Sequence, residues 1–333
     1  MKKSWLSSLV ISLILIFALP VRPAQATVTV RFATAAPDGS LQVKVMRAMA
    51  RLIEKETDGA VRFQLFAGGT VGDDLGVIRQ IQLGHLDGAG FSGVGVGSIL
   101  SDARVLEIPF IFESESQVDC VRDKLGDYFS KRFEEQGYTL LGWADVGSVY
   151  LFSRHEIKSV DDMGETKPWV YRDDPVGTAT FRAFNLSPTA LQLQDVLTSL
   201  QTRLIDTFYI TPALSIALQW NTHASYMIDT PLVNGMGAVL VKTEVLEQIS
   251  PEHQKIIKDI FEKQLPRLVR ATRRQNQESI ALMEKQGLTK IDVPDEELKR
   301  FREVGRRVAR TLAGDVYPSE LLDRVLKLIP QCK

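Results

Sequence analysis

Several residues in this chain are of the types that chemistry requires, but their spacing does not complete a catalytic motif. Residues 90–94, Gly-Phe-Ser-Gly-Val, lack the final glycine of the Gly-x-Ser-x-Gly turn that exposes a nucleophilic serine. Gly93, Gly95 and Gly97 are spaced two apart throughout, so they miss the three-residue gap that ends a dinucleotide-binding loop. These glycines instead predict a strand-to-helix turn that approaches a ligand closely or needs positive φ.

Metal-dependent and acid–base chemistry are equally poorly supported. The chain has four histidines, and none has metal-ligand spacing to another: His85, His155, His223 and His253. The 41 acidic side chains always allow some pair to meet, which leaves a carboxylate-pair hydrolase open. We find no residue set for turnover, so the sequence predicts no enzyme and no cofactor.

Aromatic side chains at the ends of two predicted strands are better candidates for a site. Trp169 and Tyr171 are two apart, so they share one face of a strand. Phe208 and Tyr209 are adjacent and point to opposite faces, so at most one of them fully lines a site. Open α/β folds bind ligands at the edge where strands end. We interpret these strands as half of a binding cleft; the alternative is that the rings only fill the core.

A helix start follows each of these strands. Asp174 suits an N-cap and Pro175 the first helical position, because a helix start leaves amide hydrogens free. Pro212 begins the helix after the second strand and would bring Trp220 toward the cleft.

The elements that would position these residues alternate between strands and helices, which predicts a largely parallel sheet covered by helices. The predicted strands are 28–33, 61–66, 86–91, 139–144, 227–229, 238–241 and 291–293, and the predicted helices are 41–56, 74–83, 116–136, 250–286 and two more before 329. The strand at 238–241 is expected to return to the first sheet. Pro266 should kink or divide the very long helix.

The first 26 residues have the layout of a secretory signal peptide. Lys2 and Lys3 precede an apolar run at 9–19 that is too short for a membrane span, and Ala24-Gln25-Ala26 is a small-x-small cleavage pattern. We therefore expect export and cleavage near Ala26.

The 333 residues are enough for two hydrophobic cores. We predict a first domain from 27–148 plus about 232–250, a second from 149–231, and a C-terminal part, 251–333, whose long spine helix and later helices pack on both. Loss of Lys2, Lys3 and Arg22 with the leader lowers the formal net charge from −1 to −4, which argues against a nucleic-acid partner. Cys120 and Cys332 are the only cysteines, and an oxidising compartment favours a bridge between them.

With this organisation, the chain resembles the DctP-type periplasmic solute receptors of tripartite ATP-independent periplasmic (TRAP) transporters. The resemblance covers nearly the whole mature chain and rests on ordered blocks: Phe-Ala-Thr-Ala-Ala-Pro-Asp-Gly-Ser at 32–40, Phe-Ala-Gly-Gly-Thr-Val-Gly-Asp-Asp at 66–74, Ile-Gln-Leu-Gly-His-Leu-Asp at 81–87, Leu-Glu-Ile-Pro-Phe-Ile-Phe at 106–112, Asp-Val-Leu-Thr-Ser-Leu-Gln at 195–201, and Ile205 with Asp206.

The resemblance implies an α/β, two-domain periplasmic solute-binding-protein fold, with mixed sheets flanked by helices, crossing strands and a long spine helix. It implies a receptor that closes over one small molecule and delivers it to a membrane permease. The candidate ligand-binding residues are Pro37, Asp38, Val71, Gly72, Ser92, Gly93, Val94, Phe110, Trp169, Tyr171, Arg172, Asp174, Phe208, Tyr209, Pro212 and Trp220. Closure is expected to use a hinge at the glycines of 93–97.

The chain departs from the family where most members carry Lys-x-Arg-x-Pro-Gly, whose arginine grips a ligand carboxylate. Counted forward from Lys167, that position is Trp169; counted back from Pro175, it is Val170. Losing a bidentate clamp and gaining rings favours a hydrophobic or amphipathic ligand, with or without a carboxylate. In the rival reading, Arg172 replaces the clamp.

Two functional alternatives and one further partner stay open at this point. The same fold could serve as the ligand-binding sensor subunit of a membrane signalling protein instead of a transport receptor. The pattern around Trp169 resembles a subgroup that lacks the clamp arginine, and some members of that subgroup associate with helical-repeat partner proteins.

Overall fold

The computed structural model describes residues 27–332, so the predicted signal peptide lies outside the described residues. Within them, strands and helices alternate as expected. The strands are β1 Val28–Thr34, β2 Val61–Phe66, β3 Gly88–Ser92, β4 Tyr138–Trp143, β5 Gly147–Ser153, β6 Trp169–Tyr171, β7 Thr189–Leu191, β8 Thr207–Ile210, β9 Tyr226–Ile228, β10 Val233–Gly235, β11 Gly237–Lys242 and β12 Thr289–Ile291. The α helices are α1 Leu41–Glu56, α2 Asp74–Gln82, α3 Gly93–Ile99, α4 Glu115–Lys124, α5 Gly126–Glu135, α6 Pro175–Ala183, α7 Leu193–Gln201, α8 Pro212–Ala217, α9 Thr243–Leu246, α10 Pro251–Lys285, α11 Asp295–Leu312 and α12 Ser319–Leu328.

The first sheet has the order β2-β1-β3-β11-β4. β1 pairs in parallel with β2 and β3, as the strand–helix alternation predicts. β11 lies antiparallel to both β3 and β4, so the expected return to the first sheet is confirmed and the sheet is mixed.

The second sheet has the order β10-β5-β9-β12, and β8 also pairs with β5. The small β6–β7 sheet is joined to β8 by a bridge between Pro168 and Thr207. β10 pairs with β5, although we expected its residues in the first domain. The return to the first sheet therefore begins only at Gly237. Together these layers form a two-domain α/β fold of mixed sheets flanked by helices.

The long helix α10 joins the two halves. Ser250 accepts a hydrogen bond from the amide of His253 and Pro251 opens the helix, as predicted. Pro266 does not divide it: the helix runs through all 35 residues. The apolar face of its first half packs in the core of the first sheet, whereas Ile280 and Met283 pack in a core of the second. Burial along this face outweighs the one hydrogen bond that proline removes.

Two other sequence predictions need correction. The expected helix over 116–136 is divided into α4 and α5, because Leu125 leaves the helical path and is buried. The last strand lies at Thr289–Ile291, where it pairs with β9, and not at 291–293. A disulfide joins Cys120 of α4 to Cys332, which fastens the end of the chain to the first domain. Among the described residues, no helix combines the length and apolarity that a membrane crossing needs.

Candidate ligand-binding site

A cavity of about 150 Å³ lies between the two sheets. The first domain contributes the start of α3 and a 3₁₀ turn at Ser101–Glu107, and the second contributes β6, α6 and β8. Its lining residues are Ser92, Gly93, Val94, Arg104, Glu107, Val146, Trp169, Tyr171, Asp174, Val176, Gly177, Thr180, Phe181, Tyr209, Leu232, Val233, Gly235 and Met236.

Trp169 forms a fixed part of the wall. Its indole N–H donates to the carbonyl of Leu191 at 3.2 Å. Its ring is stacked on Tyr209 with 5.2 Å between centroids, and Trp220 meets it edge-on at 5.2 Å. Tyr171, two residues on, also lines the cavity, so both side chains face the site as strand alternation predicts. Packing on three sides holds the indole in one orientation.

The adjacent pair on β8 separates as the alternation requires. Tyr209 lines the cavity, and its hydroxyl donates to Oδ2 of Asp174 at 3.2 Å. Phe208 is fully buried on the other face, stacked on Phe152. Burial and the neighbouring Asp174 carboxylate raise the pKa of Tyr209 well above its usual range, so this hydroxyl keeps its proton.

A buried ion cluster that sequence reasoning missed completes the site. Nη1 of Arg104 lies 2.5 Å from Oε2 of Glu107, and Nη2 lies 2.6 Å from Oδ1 of Asp174. Asp174 also accepts a hydrogen bond from the amide of Val176, so its predicted N-cap role is confirmed. Oε1 of Glu107 accepts from the amide of Met236 at 2.8 Å.

Burial governs the electrostatics of this cluster. Burial raises the pKa of Glu107, although Arg104 acts in the opposite direction. Burial alone would lower the pKa of Arg104, but the charges of Asp174 and Glu107 outweigh it and the guanidinium stays charged. The sequence did contain a signal for this cluster. Arg104 and Glu107 are three apart in an otherwise apolar segment, and a buried charge requires a partner.

Gly93 stands at the predicted strand-to-helix junction, directly after β3, and lines the cavity, whereas Gly95 and Gly97 lie further along the helix. All three lie in α3, and none has positive φ. An added Cβ would lie 2.2 Å from Glu107 at Gly93, 2.6 Å from Asp74 at Gly95, and 2.4 Å from Arg104 at Gly97. These glycines therefore make room for buried charged side chains of the first domain. The expected hinge at this position stays a prediction.

The side chain of Ser92 is held by the carboxylate of Asp74. Its hydroxyl donates to Oδ2 of Asp74 at 2.5 Å, and the same oxygen accepts from the amides of Ser92 and Gly95. Burial raises the pKa of Asp74. Across the cleft, burial followed by the charges of Asp74 and Asp73 raises the pKa of Tyr171 to about 12. The bonds that Ser92 and Gly95 make to Asp74 hold the start of α3 in place.

The other candidate residues lie outside the cavity wall. Arg172 is exposed, and Asp38 forms a surface ion pair with Arg47. Phe110 packs between Phe184 and Phe301, with ring centroids 6.5 and 5.1 Å away. The candidates absent from the wall are Pro37, Asp38, Val71, Gly72, Phe110, Arg172, Phe208, Pro212 and Trp220. Within residues 27–332 there is no group of three or more acidic, histidine or cysteine side chains suited to a metal ion.

With this geometry established, comparison with known proteins places the chain. A sequence model of the DctP family, the bacterial extracellular solute-binding proteins of family 7, matches residues 32–315. The chain belongs to this family.

Curated relatives match it at low identity. A solute-binding protein of Verminephrobacter eiseniae is 25% identical over 186 residues, which is 55% of this chain and 54% of that protein, so the match spans about half of its length. The ectoine-binding periplasmic protein TeaA of Halomonas elongata is 23% identical over 316 residues, which is 88% of each chain.

Solved structures show the same fold. A TRAP periplasmic solute-binding protein of Desulfovibrio salexigens with bound orotic acid has a TM-score of 0.83 and 18% identity, covering 92% of this chain and 100% of that one. A sugar-acid-binding protein of Advenella mimigardefordensis in complex with galactonate also has a TM-score of 0.83, with 20% identity and coverage of 92% and 99%. At 18% and 20% identity, these two structures show that the chain shares their fold.

Proposed function

We propose that this family member is an exported receptor of a TRAP transporter, which captures a small organic ligand with an apolar body and delivers it to membrane permease subunits. The leader is removed near Ala26, and the ligand lies in the cleft between the two sheets. The observation that carries the ligand class is the indole of Trp169, which is stacked on Tyr209 in the cavity wall. Trp169 is one of the two positions, with Val170, at which the family resemblance places a clamp arginine.

Energies support an apolar contact at this wall. A ligand that buries about 100 Å² of its own apolar surface in the cavity beside Trp169 gains roughly 2.5 kcal/mol at ~25 cal/mol per Å². Trp169 itself is only 3% exposed, so nearly all of that area comes from the ligand. A carboxylate buried there without a clamp would lose at least as much, because its charge would have no partner. Arg172, the rival clamp, is exposed, and its backbone amide is bonded to the carbonyl of Leu191.

The relatives of this chain do not share one class of ligand. They include proteins named as periplasmic receptors for ectoine and for 2,3-diketo-L-gulonate. The subgroup resemblance around Trp169 further suggests a helical-repeat periplasmic partner, which co-purification would test. Native mass spectrometry of the protein purified from its own periplasm would identify the bound molecule.

The test of the pocket is a calorimetric titration with that molecule. Trp169→Ala should weaken binding about tenfold or more, since each 1.4 kcal/mol is one decade, and Trp169→Arg should abolish it. The matched control is Trp143→Ala, because Trp143 packs against Phe129 and Phe133 away from the cavity. Arg172→Ala should change little. Loss of binding in Arg172→Ala with intact binding in Trp169→Ala would restore a small clamped carboxylate as the ligand.

A further inference from the structure

The charged side chains at the cavity are already paired with one another. Arg104, Glu107 and Asp174 are each exposed by less than a tenth, at 6%, 8% and 6%. They place two carboxylates against one guanidinium. Whether Glu107 holds a proton or not, the cluster has no net positive charge to offer an anion.

The pair between Arg104 and Asp174 crosses the cleft. Arg104 lies in the 3₁₀ turn of the first domain, whereas Asp174 caps α6 in the second. Their contact at 2.6 Å therefore exists only when the two domains are close together. A charged ligand of a clamp-type receptor would make the same kind of contact, with its own carboxylate.

Asp174 has little capacity for a further partner. Its Oδ1 accepts hydrogen bonds from Arg104 and from the amide of Val176, and its Oδ2 accepts one from the hydroxyl of Tyr209. An anionic ligand would have to displace this carboxylate or be buried beside it unpaired, and either is costly in a low-dielectric site.

We infer that Asp174 supplies, from within the chain, the carboxylate that an anionic ligand would otherwise bring to Arg104, so that the cleft selects uncharged ligands. This inference rests on the proposed receptor function and narrows its ligand class. The size of the closed cavity, about 150 Å³, restricts the enclosed part of the ligand to about one ring, since an engineered apolar cavity of that volume binds benzene.

The test frees Arg104 without removing the helix cap. Asp174→Ser deletes the carboxylate but keeps a side chain that caps helices well. In this variant, sodium formate should raise the denaturant midpoint in a saturable way relative to sodium chloride at equal ionic strength, and wild type should show no such difference. Benzoate should bind the variant at least about tenfold more tightly than it binds wild type, and more tightly than the uncharged isostere benzamide binds the variant.

Two further variants control the result. Asp73→Ser removes another N-cap carboxylate, which accepts from Gly76 and pairs with no arginine in the described part of the chain, so formate should not stabilise it. Arg104→Gln added to Asp174→Ser should remove the formate and benzoate responses. If Asp174→Ser does not fold, the isosteric Asp174→Asn also keeps a good cap and should bind benzoate more tightly than wild type does.

The outcomes separate this inference from the receptor function. A folded Asp174 variant without any anion response, or a wild type that responds equally, overturns the inference. If Trp169→Ala still weakens binding of the molecule recovered with the periplasm-purified protein in that case, the receptor function stands. An anion response in Asp174→Ser combined with no effect of Trp169→Ala would instead support the internal carboxylate and refute the aromatic contact.

Discussion

Replacing Gly93 by alanine tests whether the glycines of α3 make room for buried charge. Gly93 opens α3 without positive φ, so the backbone itself tolerates alanine. Helix propensity alone predicts a gain of up to about 1 kcal/mol. The structure predicts the opposite sign, because the new Cβ would lie 2.2 and 2.3 Å from the two carboxylate oxygens of Glu107.

The magnitude follows from what Glu107 must give up. To escape the clash it has to leave the amide of Met236, now 2.8 Å away, and loosen its contact with Arg104. A hydrogen bond to a charged group contributes about 1.5–3 kcal/mol. After subtraction of the propensity gain, Gly93→Ala should lower the free energy of unfolding by about 0.5–2 kcal/mol.

The assay is chemical denaturation of Gly93→Ala beside a matched glycine. Gly126 also begins a helix without positive φ, but an added Cβ there meets nothing within 4 Å. Gly126→Ala should therefore be neutral or raise the free energy of unfolding by up to about 1 kcal/mol. Adding Glu107→Ala to Gly93→Ala should cost less than the sum of the two single changes, because the shortened side chain removes the clash.

Equal effects at the two glycines would refute this reasoning. So would strict additivity of Gly93→Ala and Glu107→Ala, since contact between the two side chains is the only cause invoked for the loss.

Three other predictions concern the rest of the chain. Replacing Cys120 and Cys332 by serine should lower the free energy of unfolding by roughly 2–4 kcal/mol, and thiol titration of denatured, unreduced wild type should find no free thiols. Pro266→Ala restores a hydrogen bond at an exposed helix position and should stabilise the protein by about 1–3 kcal/mol in denaturant titrations. Burial, then its hydrogen bond to Asp102, raises the pKa of Tyr128 to about 12. The stability this contributes is full below pH 10 and is lost as pH rises toward 12, so Tyr128→Phe should show a smaller decline over that window.

Local rules made the aromatic wall predictable. Period-two alternation placed Trp169 and Tyr171 on one face and separated Phe208 from Tyr209, because a strand allows no other arrangement. The cap at Asp174 followed from the same kind of local chemistry. Alternation along one strand does not tell which of its faces meets a cavity. That depends on how the two sheets pack against each other.

The ion cluster was harder to find because it combines distant parts of the chain. Arg104 lies in a 3₁₀ turn with no periodicity to read, and its partner Asp174 is 70 residues away. The glycines of α3 were misread for the same reason. Their spacing suggested backbone freedom, whereas the space beside them is taken by Asp74, Arg104 and Glu107 from other elements.

Two crossing segments, 144–146 and 235–237, run side by side between the domains. The amide of Ala144 donates to the carbonyl of Gly237 at 2.7 Å, and that of Val146 donates to Gly235 at 2.9 Å. These bonds join the two crossing segments to each other. Asn276 of α10 donates to the carbonyl of Val146 at 2.8 Å and braces the same point. The ion pair between Arg104 and Asp174 joins the two domains at a second place, on the cleft side. The chain's own carboxylate is therefore part of what holds the two domains together in this structure.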